Sequence, residues 1–121
     1  MSIAVVLGIG VIGGLGAIAR FLLDGAVGAR LGRAFPYGTL VVNVSGALLL
    51  GLLVGAALGD DADDLLGTGL LGAFTTFSTW MLESHRLGED GRMRLAAANI
   101  AVSLALGIGA VWIGRHLGAL L

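Results

Sequence analysis

Four stretches of this chain run for about the thickness of a bilayer with almost no charge, and that leaves few folds open. Ile3–Leu23 is interrupted only by Arg20, Tyr37–Leu58 has no ionisable residue beyond the tyrosine at its edge, Leu65–Leu82 ends at Glu83, and Leu95–Ile113 is again uncharged. A hydrocarbon core about 30 Å thick needs roughly 20 apolar residues of helix to cross it. Unbroken apolar runs fit helices and not the alternating strands of a barrel. The chain therefore reads as an all-α membrane protein, a single domain of four transmembrane helices over residues 1–121. Composition agrees, with 57% hydrophobic and 12% charged residues, where an ordinary soluble domain carries about 25% charged.

The connections Asp24–Pro36, Gly59–Asp64 and Glu83–Arg94 are too short to hide a soluble domain. Pro36 stands just before the second run, where its missing N–H and fixed φ suit a helix start. Cysteine is absent, which excludes disulfides, thiol chemistry and cysteine metal sites. The Ala17-Ile18-Ala19 sequence superficially resembles a signal-peptide cleavage site, but no basic segment precedes the first run, so that run is expected to be kept as a span.

Four spans put both termini and the second connection on one side, the first and third connections on the other. The first side carries Arg115 alone, while the second carries Arg30, Arg33, Arg86, Arg92 and Arg94; there is no lysine. The positive-inside rule then places the first and third connections in the cytoplasm, with the Asp60, Asp61, Asp63, Asp64 loop outside. Five arginines against one, Arg20 set aside, favour a single orientation.

Glycine makes up 22 of 121 residues and lies largely within the spans. Gly10/Gly14 and Gly51/Gly55 form small-xxx-small pairs that let helix backbones approach closely. Four helices this short enclose little interior, so an ion path is expected to need a second subunit.

Polar residues recur inside the apolar runs. Thr39 and Asn43, with Gly46, share one face of the second span, and Asn99 and Ser103, with Gly107, share a face of the fourth. Such asparagines serve either as hydrogen-bond glue between helices or as pore lining. Thr75, Thr76, Ser78 and Thr79 put four hydroxyls into five positions of the third span. Hydroxyls back-bonded to helix carbonyls are compatible with an intact helix, but this density at mid-depth points to a break, whose freed carbonyls can hold a cation. Phe74, Phe77 and Trp80 follow at three-residue spacing, and aromatic ring edges are electropositive enough to face an anion. Arg20, the one cation within a span, either anchors its helix by snorkelling or draws anions into a vestibule. Glu83 closes the third span as an interfacial residue or as part of that vestibule.

These residues resemble the fluoride channels of the Fluc, or CrcB, family over the whole chain. Gly13-Gly14-Leu15-Gly16-Ala17-Ile18-Ala19-Arg20-Phe21 is similar to the family's first-helix signature and Gly38-Thr39-Leu40-Val41-Val42-Asn43-Val44-Ser45-Gly46 to its second. Gly72-Ala73-Phe74-Thr75-Thr76-Phe77-Ser78-Thr79-Trp80, followed by Glu83, is similar to the third, the most specific. The resemblance implies a passive fluoride channel in the inner membrane, built as an antiparallel dimer with two pores and a structural sodium ion at its centre, conferring fluoride resistance by exporting the ion. By position it implies a fluoride path through Asn43, Phe77 and Ser103, with Trp80, Thr39 and Thr79 along the same route, and sodium held by the backbone carbonyls of Gly72 and Thr75.

The chain departs from the family pattern at Trp80, usually phenylalanine, which keeps a ring edge and adds an N–H, and at Phe21, often tyrosine. Gly107, where some relatives carry a hydroxyl, shortens the polar track. A homodimer is the family default; the arginine bias equally suits one half of a heterodimer with an oppositely oriented chain. Among other classes, a small multidrug antiporter of this size requires a buried glutamate in its first span, where this chain has Arg20 and no acid. A noncatalytic membrane scaffold would use the glycines and asparagines for packing alone.

Overall fold

The computed structural model describes all 121 residues, and no strand is present. Helix α1 spans Ile3–Leu31, α2 Tyr37–Ala56 and α6 Met93–Gly118. The third span is composite: α3 (Asp60–Ala62) runs into a π-helical stretch, Asp63–Leu71, then α4 (Gly72–Phe74), and after an interruption α5 (Ser78–Glu89). The four units Ile3–Leu31, Tyr37–Ala56, Asp60–Glu89 and Met93–Gly118 are each long and apolar enough to cross a membrane.

Helix ends and apolar limits do not coincide. The apolar run of the first span stops before Asp24, yet α1 continues to Leu31, because one acid does not terminate a helix. Termination comes at Gly32, whose φ of 81° suits glycine and whose N–H closes back on the Gly28 carbonyl. At the other end Ser2 caps the helix, its hydroxyl accepting from the Val5 N–H at 3.2 Å. Pro36 occupies the N-cap of α2, as its position in the sequence suggests.

Glycine sets the spacing of the bundle. A Cβ on Gly51 would strike the Val111 carbonyl, one on Gly55 the Arg115 carbonyl, one on Gly114 the Leu48 carbonyl and one on Gly118 the Leu52 carbonyl. Helices α2 and α6 thus meet backbone to backbone along two small-residue rows, as the Gly51/Gly55 pair predicts. In α1 Gly13 and Gly16 pack against the Gly69 and Leu70 carbonyls of the π-helical stretch, and Gly8 against its Leu65 side chain. The expected pair Gly10/Gly14 meets nothing within 4 Å: the spacing was right for a seam, but the neighbouring helix lies on the adjacent face of α1. Helix α5 packs on α6, and α1 covers α4 and one edge of α2.

Candidate functional site: a helix break facing two cavities

The interruption falls at Thr75–Phe77, close to the middle of the Asp60–Glu89 unit. Thr75 turns extended, with φ −82° and ψ 161°, and its hydroxyl donates back to the Leu71 carbonyl at 2.9 Å. An open backbone at this depth leaves peptide groups without helical partners, and hydrocarbon supplies none. Asn43 of α2 meets that need: its Nδ2 donates to the Thr76 carbonyl at 2.7 Å and its Oδ1 accepts from the Thr76 N–H at 2.8 Å. One side-chain amide therefore satisfies both peptide groups of Thr76, and one N–H of Nδ2 is left over.

The Thr76 hydroxyl starts the next helix, accepting from the Thr79 N–H and donating to Thr79 Oγ1, each at 3.2 Å. These bonds have a further effect. In a continuous helix the Thr76 N–H would bond the Gly72 carbonyl and the Thr79 N–H the Thr75 carbonyl. Both donors are engaged elsewhere, so the Gly72 and Thr75 carbonyl oxygens lose their helical partners. Oxygens of this kind fit a hard monovalent or divalent cation, and no group of three or more His, Asp or Glu side chains offers another metal site.

Two cavities meet at Thr76. The larger, about 380 Å³, is lined by Asn43, Gly72, Thr75, Thr76, Phe77 and Trp80 together with Gly46, Leu50 and Val111. The smaller, about 160 Å³, is bounded by Arg20, Phe21, Asp24, Thr39, Thr76 and Thr79. Apart from Ser103 and Glu83, the predicted residues thus divide into two sets on either side of the break. Thr39 is 3% exposed and donates to Glu83 Oε1 at 2.5 Å, which ties the smaller cavity to the middle of α5. Arg20 has no carboxylate within 4 Å; the one such contact in the chain is His85–Glu89.

The aromatics are rearranged relative to their spacing. Because the chain opens between Phe74 and Ser78, these residues form no continuous stripe. Phe77 is 69% exposed and forms a T-shaped pair with Trp80, centroids 5.7 Å apart and planes at 84°. The indole N–H of Trp80, which sequence offered as a donor to an ion, is bonded to the Asn99 carbonyl at 3.1 Å. Asn99 is fully buried, its Nδ2 donating to Ser84 Oγ at 2.9 Å while Ser84 donates to the Trp80 carbonyl at 2.9 Å. Asn99 here is glue between α5 and α6. Ser103 lines neither cavity; its hydroxyl and Asn99 Oδ1 are buried without a partner.

Thr76, Asp24 and Ser84 were not singled out from sequence. Thr76 was one of four neighbouring hydroxyls with nothing to rank it; the signal that finds it is its pairing with Asn43, which is a distance and not a spacing.

Fold and site together define a four-span membrane protein whose third span is opened at mid-depth and held open by an amide from the second. Residues 7–115 match the family described as CrcB-like protein, Camphor Resistance (CrcB), and the chain belongs to this CrcB family. It is 56% identical over 115 residues to the fluoride-specific ion channel FluC 2 of Mycobacterium tuberculosis, covering 95% of this chain and 91% of that one. The FluC 2 of Mycolicibacterium paratuberculosis is 56% identical over 119 residues, 98% of each chain. The fluoride-specific ion channel FluC of Geobacter sulfurreducens is 47% identical over 114 residues, 90% and 92%.

Proposed function

We propose that this chain forms a passive, fluoride-selective channel that releases cytoplasmic fluoride across the inner membrane. The observation that carries the reading is the opened third span at Thr75–Phe77, flanked by an asparagine amide, hydroxyls, an aromatic ring and Arg20, which forms no ion pair. The names of relatives up to 56% identical over almost the whole chain support it. Fluoride enters cells from acidic surroundings as HF, dissociates and is trapped; a pore lets it leave. An interior-negative potential of 100 mV is worth about 2.3 kcal/mol per charge, roughly a fiftyfold outward bias for an anion.

The route runs past Arg20, Thr39 and Thr79 to Thr76, and past Asn43 to Phe77 and Trp80. The free N–H of Asn43 and the edge of Phe77 offer donors to a dehydrated anion, and closely placed donors fit fluoride better than the larger chloride. Trp80 acts by placing Phe77 and not through its N–H. Ser103, buried without a hydrogen-bond partner, is kept for the polar track, and Glu83 with Arg20 for the vestibule.

The working unit is an antiparallel dimer, since the larger cavity opens beside the exposed Phe77 and needs a second wall. A homodimer is the default, a heterodimer with an oppositely oriented paralogue the variant that the arginine bias favours. The Gly72 and Thr75 carbonyls of both subunits would hold sodium at the centre, which supplies positive charge and fixes the break.

The test is efflux from liposomes of the purified chain loaded with fluoride or chloride, with valinomycin and potassium carrying the compensating charge. Fast fluoride release with chloride retained is expected. Release of both ions alike overturns selectivity. No release from the chain alone, followed by release once an oppositely oriented paralogue is added, identifies the heterodimer.

A further inference from the structure

The first and third connections converge on a cavity of about 230 Å³ whose charged lining is Arg33, Arg86, Arg92, Glu83 and Asp90. None of the three guanidiniums has a carboxylate oxygen within 4 Å. Arg33 is held in place from behind: its guanidinium lies across Gly28 of α1, where a Cβ would come within 2.7 Å of the Cζ. Glu83 is itself engaged, accepting from Thr39. Three cations against two carboxylates leave one positive charge, which a monoanion neutralises.

Depth identifies the anion's source. The break interrupts the Asp60–Glu89 unit near its midpoint, and α5 descends from Ser78 at about 1.5 Å per residue, so Arg86 and Asp90 lie roughly 12 and 18 Å from it. Half of a hydrocarbon core is about 15 Å, so the cavity lies at the level of lipid phosphates. Basic pockets between spans at that level take anionic headgroups. We propose that Arg33, Arg86 and Arg92 form a binding site for the phosphodiester of an anionic lipid.

Native mass spectrometry of the full chain in dodecylmaltoside, titrated with phosphatidylglycerol, phosphatidylcholine or sodium phosphate, tests this. Phosphatidylglycerol should bind in preference to phosphatidylcholine, weaken about fivefold in each of R33Q, R86Q and R92Q, and be retained by R86K. R30Q, which removes an arginine that does not line the cavity, should leave binding unchanged. Equal binding of the two lipids, equal weakening by R30Q, unchanged binding in all three glutamine variants, or displacement by millimolar inorganic phosphate would each overturn the proposal, the last by assigning a free-phosphate site. All three arginines are exposed, so if one variant fails to fold the other two carry the test.

Discussion

Asn43 shows at the scale of one side chain what sequence can and cannot say. Its place on the apolar second span marked it as a residue that must face protein or water, and its motif marked it for the ion path. That it closes both peptide groups of Thr76 was not legible, because helical spacing gives a face and not a partner. Asn43→Ala strands a donor and an acceptor in the membrane, at about 1–3 kcal/mol for each unsatisfied group. We expect a lower unfolding midpoint in detergent together with loss of fluoride efflux. Asn43→Asp keeps the acceptor for the Thr76 N–H but sets a carboxylate against the Thr76 carbonyl, and should abolish efflux too. Trp80→Phe removes the bond to the Asn99 carbonyl, about 1 kcal/mol, and leaves a smaller ring against Phe77, so a folded and conducting channel at an altered rate is the expected result in the liposome assay.

Among the elements, the existence of all four spans was written in the length of the apolar runs, and the opening of the third in its crowded hydroxyls. Helix ends were not, since α1 is set by Gly32 and not by the first charge. Nor was the choice of glycines in α1, because any of several three- and four-residue spacings in a glycine-rich helix reads as a seam. The contrast is measurable. Gly114→Ala drives a methyl into the Leu48 carbonyl of α2 and should cost about 1–3 kcal/mol, read as a lowered unfolding midpoint. Gly10→Ala meets open space and should leave that midpoint unchanged.

For the molecule as a whole, the charge asymmetry outlasts folding: Arg33, Arg86 and Arg92 gather at one end while the Asp60–Asp64 acids lie at the other. The positive-inside rule then favours one orientation, the arrangement a heterodimer would use. With no native cysteine, Leu121→Cys gives a clean probe, and an impermeant maleimide should label it only from outside intact cells. Labelling from both faces would mean that single chains insert both ways and that one gene suffices for an antiparallel pair.

The wide turns of Asp63–Leu71 bear on how such a chain can change over generations. Rings closed one residue further along wind less per residue than an α-helix does, so the chain reaches Thr75 on a bearing that an ordinary helix of equal length would miss. Adding or removing one residue there would swing everything downstream by somewhat less than the ~100° of an α-helical residue, enough to turn Thr76 away from Asn43. Substitutions in this stretch should therefore be tolerated by degree, whereas a one-residue insertion or deletion should abolish efflux, so the count of residues between the acidic loop and the break should matter more than their identity.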